Sequence, residues 1–367
     1  MRLHRTMDRL VQIRPLLTGC YPSFVYPGVD RRPSAVPIFV QHELNLETFK
    51  ETLEYLDRNG YRTIHCDELV GLMSDGRGTG NEVMLTFDDG LRWLYEVAFP
   101  VLKQFDVKVV AFVCPGLIED HHGRGEDPDS NLCTWAQLSE MVESGLVDVQ
   151  CHGLRHARVW VSPDVIGFLT ARSRHVVRYE RFMPAFQRNT SGDGSTRACP
   201  TPGAPVRPHR PALQSPRRFD DAALSERCML AIDRHGPRFY ENADWLKGQE
   251  TCELGMTGRW VEGEERAYEM LDALVEARHL LEDHLSPASA RHFAWPWWRG
   301  FAMAAWAVRE AGFRTAFGGP DAYRFRQRTT SLDAYAIPRM SLDWHARLPG
   351  TGRKTFAGLI GRKLRGR

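Results

Sequence analysis

Short β-branched runs recur along this chain with amphipathic stretches between them, and that alternation restricts the fold more than any other feature. Val36 to Val40, Arg62 to His65, Glu82 to Phe87, Val107 to Cys114, Val147 to Cys151, His292 to Trp295 and Thr315 to Phe317 read as strands. Leu46 to Arg58 places Leu46, Phe49, Leu53 and Leu56 at helical spacing and ends before Gly60, and Thr134 with Gln137 forms a capping-box pair at a helix start. Strands alternating with helices bury a parallel sheet, either open and doubly wound or closed as a barrel. The rhythm breaks from Ala157 to about Gly263, where Arg188 to Arg218 is dense in Pro, Gly, Ser and Arg and predicts a long loop or partly disordered insertion. It resumes with a long helix from Glu264, marked by Ala267, Leu271, Leu274, Val275 and Leu281.

Composition excludes several classes. With 367 residues, 43% hydrophobic and 26% charged, the chain is ordinary globular material rather than fibrous or disordered. The longest apolar run, Val107 to Ile118, carries Lys108 and Pro115 and falls short of the roughly 18 residues of a membrane span. The N-terminal apolar stretch is cut at Arg14, so a cleaved secretory signal is not expected. The eight cysteines are scattered without a CxxC, which predicts reduced thiols and a cytoplasmic protein.

Charge is balanced overall, at 48 − 46 = +2, but not locally. Ala157 to Arg218 holds eleven Arg, no Lys and three acids, and Arg353 to Arg367 holds six basic residues and no acid. Each reads either as solvated surface or as a contact for anions. No nucleic-acid partner is expected.

The chemistry lies in two segments. Val83 to Gly90 is an apolar strand that stops at Asp88, Asp89 and a glycine, which places two carboxylates at the carboxyl end of a sheet strand, where α/β enzymes build their sites. Val147 to Cys151 is followed by His152 and His156, four apart, which a first helical turn would put on one face. Two imidazoles and a carboxylate form an open catalytic metal set. Asp88-Asp89-Gly90 alone suits an ordinary Asx turn, and an isolated HxxxH is commonly structural. Their coincidence on one rim carries the argument.

Taken together, these residues resemble the polysaccharide deacetylases of carbohydrate esterase family 4. Thr86 to Gly90 is similar to that family's TFDDG strand end, and His152 to His156 to its H-[ST]-x-x-H, with Gly153 in place of the hydroxyl residue. Arg291 to Trp298 is similar to its FAYPYG segment, and the three follow family order. Pro37 to His42 resembles the strand and histidine that open a permuted branch containing poly-N-acetylglucosamine deacetylases, with Gln41 where that branch has Tyr.

The resemblance implies a distorted (β/α) barrel over 36–345, interrupted by the 157–263 insertion, with an N-terminal extension over 1–35 and a basic tail over 346–367. It implies Asp89, His152 and His156 as ligands of a divalent metal, Zn2+ above others, with Asp88 as general base and His42 as general acid. The backbone N–H of Trp297 takes the oxyanion position; Trp297 and Trp295 are candidates for sugar contact, and Arg339 for orienting Asp88 or the substrate.

The expected reaction is hydrolysis of an N-acetyl group on a sugar. The Arg-rich insertion, with Arg172, Arg174 and Arg178 near its start, favours a cytoplasmic precursor linked to a polyprenyl diphosphate or a nucleotide. The basic tail suits an anionic membrane surface. Polymer deacetylation, O-acetyl or formyl hydrolysis on the same fold, and a non-catalytic glycan-binding subunit are the competing readings.

Overall fold

The protein is described here by a computed structural model covering residues 16, 19–29, 31–33, 35–42, 45–75, 80–122, 130–168, 205–221, 258–320 and 334–365. Five strands open the fold: β1 (Ile38–Gln41), β2 (Arg62–Thr63), β3 (Glu82–Asp89), β4 (Val109–Val113) and β5 (Val147–Cys151). Every side chain of β4 is buried, as expected for a parallel strand covered on both faces. The helix Leu46–Arg58 has the predicted bounds, with Asn45 accepting from the Thr48 N–H at its start. Thr134 and Gln137 form the expected capping box.

The insertion is not a featureless loop where it is described. It forms three antiparallel pairs: β6 (Arg158–Trp160) with β9 (His209–Pro211), β7 (Gly167–Phe168) with β8 (Pro205–Val206), and β10 (Arg218–Asp220) with β11 (Arg259–Val261). A buried Arg207–Asp221 pair at 2.7 Å, with the guanidinium over Trp160 and Phe219, gives this layer a small core of its own. Proline and arginine density hid the strands, because each is only two or three residues long. Arg172, Arg174 and Arg178 lie outside the described residues.

After the insertion the helix Gly263–His284 buries Arg266, Met270, Leu274, Ala277 and Leu281. Its inner face is turned by one residue at the start relative to the expected Ala267 and Leu271. The Arg266 guanidinium accounts for this, since it reaches the Ala212 carbonyl at 2.7 Å and ties the helix to the insertion. Four short strands complete the sheet: β12 (His292–Ala294), β13 (Thr315–Gly318), β14 (Ile337–Pro338) and β15 (Met340–Ser341).

All pairings in the main sheet are parallel, in the order β14-β13-β12-β5-β4-β3-β1-β15, with β2 beside β3. The two ends of that order are separated in the chain by Arg339 alone. Ile337 to Ser341 therefore bridges β13 and β1 and closes the barrel, which settles the choice between open sheet and barrel.

The terminal segments pack together rather than trailing from the barrel. Phe24 and Val25 are buried; Arg347 donates to the Val25 and Tyr26 carbonyls and Arg353 to that of Phe24. The helix Phe356–Arg365 buries Leu359 against the same cluster. Arg353, within the expected basic tail, has its guanidinium taken up by the Arg347 and Phe24 carbonyls. Among the described residues no helix is long and apolar enough to cross a membrane. The five described cysteines are free and buried.

Candidate active site

Because the strands are parallel, the ends of β1, β3, β5, β12 and β14 open on one rim. Asp89 is level with Val113, and Val113 with Cys151, so His152 leaves β5 one step beyond Asp89. Gln41 is level with Phe87, which sets His42 beside Asp88. The rim thus assembles residues more than 100 positions apart without any special loop.

The His152–His156 segment is not a helical turn. It leaves β5 as a tight loop with positive φ at Gly153 (80°) and His156 (48°), and this reversal, rather than helical spacing, returns His156 toward Asp89. The left-handed backbone also explains why glycine stands where the resembling family has a hydroxyl residue. Asp89, His156, Trp297 and Trp298 are four of the five described non-glycine residues with positive φ, and all four line this rim. Such conformations cost roughly 1–3 kcal/mol each and persist where surrounding structure enforces them, characteristically at functional sites.

Asp89 Oδ1 lies 3.6 Å from His152 Nε2 and 3.8 Å from His156 Nε2, and one ligand atom from each of the three lies within 4.8 Å of the others. These gaps are too long for hydrogen bonds, yet two donors each about 2.1 Å from a shared ion would be separated by about as much. The donors therefore fit a divalent cation. His152 Nδ1 lies 2.9 Å from the Ala294 carbonyl, an obligate acceptor, so Nδ1 carries the proton and Nε2 turns its lone pair to the cluster.

Burial pushes both imidazoles down to about 4, against the opposing pull of the Asp88 charge, so both are neutral at pH 7. The sign of the stability effect follows. The unfolded chain, with histidines near 6.5, takes up these protons first, so stability falls as pH drops from about 6.5 toward 4, by on the order of 3 kcal/mol per histidine. Denaturant titrations of metal-free protein at pH 7 and pH 4.5 are expected to show this loss, and added divalent cation to oppose it. Identical midpoints would exclude burial of neutral histidines.

Asp88 is held differently. Arg339 Nη1 and Nη2 donate to its two oxygens at 2.6 and 3.0 Å, a bidentate pair with both residues buried. Burial alone would raise the Asp88 carboxyl; Arg339, His152 and His42 outweigh it and hold the group well below the usual carboxylate range. Its Oδ2 is 3.7 Å from both His42 Nε2 and His152 Nε2. His42 sits at the mouth with 48% of its side chain exposed, its ring 5.4 Å from that of Trp298.

Of the roles expected for Arg339 the geometry fits the first, and the expectation for Trp295 is corrected. Arg339 is 1% exposed and lies behind Asp88, out of reach of a substrate, so it orients the carboxylate. Trp295 is 4% exposed, packs on Phe293 and donates Nε1 to the Tyr335 carbonyl, which makes it core. Trp297 remains at the site, its ring centroid 4.7 Å from that of His156. The sequence reading missed Arg158, whose guanidinium carbon lies 4.7 Å from the Trp297 ring centre, and Gln214, which donates to the Trp297 carbonyl at 3.1 Å. Their place in the Arg-rich segment was the only signal, and it does not single them out.

Comparison with known proteins agrees with this centre. Residues 75–180 match the model of the family described as polysaccharide deacetylase, a segment that contains Asp88, Asp89, His152 and His156. The likeness to that family thus rests on a segment of less than a third of the chain. Over 106 residues it is 30% identical to the poly-beta-1,6-N-acetyl-D-glucosamine N-deacetylase of Staphylococcus epidermidis, a stretch covering 29% of this chain and 35% of that protein. It therefore spans about a third of the length of that relative.

Two solved structures share the fold at 16% identity. The de-N-acetylase from Aggregatibacter actinomycetemcomitans superposes with a TM-score of 0.50 over 83% of this chain and 92% of that one. The BpsB deacetylase domain from Bordetella bronchiseptica gives 0.52 over 85% and 97%.

Proposed function

We propose that the rim centre is that of a divalent-metal-dependent N-deacetylase, which hydrolyses the acetamide of an N-acetylated hexosamine to acetate and a free amine. The observation that carries this reading is a division of labour between adjacent carboxylates: Asp89 faces two neutral histidines, while Asp88 is paired with Arg339 and stands outside that set. A site that only bound glycans would have no use for the second, ionised carboxylate.

The donor set of two imidazoles and one carboxylate suits Zn2+, which when bound polarises the acetamide carbonyl and lowers the pKa of water. Asp88 accepts the proton of the attacking water, and Arg339 keeps its carboxylate ionised and aimed. His42 donates the proton that the departing nitrogen requires. The Trp297 N–H serves the carbonyl oxygen as charge develops on it, and the Trp297 ring offers a flat wall for the sugar. The names of the relatives favour a polymer of N-acetylglucosamine as substrate; the arginine excess of the insertion favours a narrower class, a cytoplasmic phosphate-linked precursor.

Asp89→Ala, His152→Ala and His156→Ala are each expected to lower bound metal and activity together. Affinity should fall by more than the roughly 10- to 100-fold that outer-shell changes give. Metal content by mass spectrometry, alongside amine release from N-acetylated sugars and acetate release from O-acetyl esters, checks this. Full metal occupancy in any variant removes that residue from the centre, and release from esters alone would make the protein an O-deacetylase.

A further inference from the structure

Arg158 begins β6, two residues beyond His156, and is half-buried. Its guanidinium carbon lies 4.7 Å from the Trp297 ring centre, and the Trp297 ring, tilted by 52° to that of His156, lies 4.7 Å from it between centroids. The other buried or half-buried arginines around it are committed to carboxylates. Arg155 pairs with Asp120, Arg207 with Asp221, and Arg218 and Arg266 with Glu269. Arg158 has no such partner: among the described residues no carboxylate pairs with it, and its buried Nε makes no hydrogen bond.

Taking a cation even partly out of water without a counter-charge carries a cost, which a bound anion would offset. The Trp297 ring offers the guanidinium an aromatic face but no acceptor for its N–H groups, which in an arginine bind an oxyanion as a fork. β6 is paired with β9, whose neighbour Gln214 is bonded to the Trp297 carbonyl, so guanidinium and indole are held on the same support.

We infer that Arg158 is a specificity-determining residue that binds an oxyanion, phosphate or carboxylate, carried by the sugar whose acetamide lies at the Asp89–His152–His156 cluster. This rests on the N-deacetylase reading above. The substrate class is then an anionic N-acetylated glycan, and the insertion supplies the selectivity that the barrel rim lacks.

The test uses the full chain loaded with Zn2+ and three N-acetylglucosamine oligomers of equal length: neutral, phosphorylated and uronate-bearing. For wild type the anionic oligomers should have the lower KM. Arg158→Gln should shift the ratio of anionic to neutral KM by about tenfold or more toward the neutral compound, and Arg158→Lys should restore part of it. The arm with the larger shift identifies phosphate or carboxylate as the group bound. A ratio that Arg158→Gln leaves unmoved, with both KM values changed equally or not at all, overturns the proposal. Calorimetric titration of the same oligomers into wild type and Arg158→Gln reads binding without turnover. If no sugar is deacetylated the reaction assignment fails, and this titration still decides for or against Arg158.

Discussion

Asp88→Asn should lower kcat by about 10²- to 10⁴-fold, the range that general-base catalysis typically supplies, while the Asp89–His152–His156 set still binds metal. The amide retains the shape of the carboxylate and one acceptor oxygen, but it cannot take a proton from water. The change also strips the buried Arg339 of its counter-charge, so a fall in stability will accompany the loss of turnover and has to be separated from it. The double variant Asp88→Asn/Arg339→Met does this, because replacing both members of a buried ion pair is far milder than removing one. Stability should largely return in the double variant and turnover should not. If turnover returned as well, Asp88 would be no more than the counter-ion of Arg339. If Asp88→Asn lost the metal while Asp89→Asn kept it, the two acids would exchange roles.

Arg339→Met alone carries the second large effect. It leaves the Asp88 carboxylate 3% exposed with no guanidinium, and breaking a buried pair from one side costs about 3–5 kcal/mol. The same side chain donates to Thr86 Oγ1 at 3.3 Å, a bond the variant also loses, while its backbone N–H keeps the Gly318 carbonyl. Denaturant unfolding of wild type and variant at pH 7 measures the cost. The gap should narrow as pH falls through the range where an unpaired Asp88 becomes protonated, since a neutral carboxyl no longer needs the guanidinium. A pH-independent gap would mean that Arg339 acts through packing alone.

The parts of this molecule that could be read from its sequence are those encoded by neighbouring residues. A strand that ends in Asp88 and Asp89 announces its rim position locally, as does the capping box at Thr134. Contacts between distant segments left weaker traces. The spacing of His152 and His156 fits a helical turn and a tight reversal equally well, and only the positive φ at Gly153 and His156 tells them apart. The sequence offered Trp295 and Trp297 alike as sugar contacts, and only the positive φ at Trp297 separates them: Trp295 enters the core and Trp297 turns to His156. Arg158 could not be chosen from eleven arginines without knowing which of the others already had a carboxylate.

The closure of the barrel at Arg339 has a consequence for the order in which the protein becomes competent. Among the described residues the barrel strands latest in the chain, Ile337–Pro338 and Met340–Ser341, bring the charge that makes the Asp88 carboxylate tolerable in the interior. An Asp88 buried without that guanidinium would favour its protonated form, and a protonated carboxyl accepts no proton from water. With Asp88 as the proposed base, chemical competence is expected to arrive with the final stave of the barrel, even if both histidines are already in place.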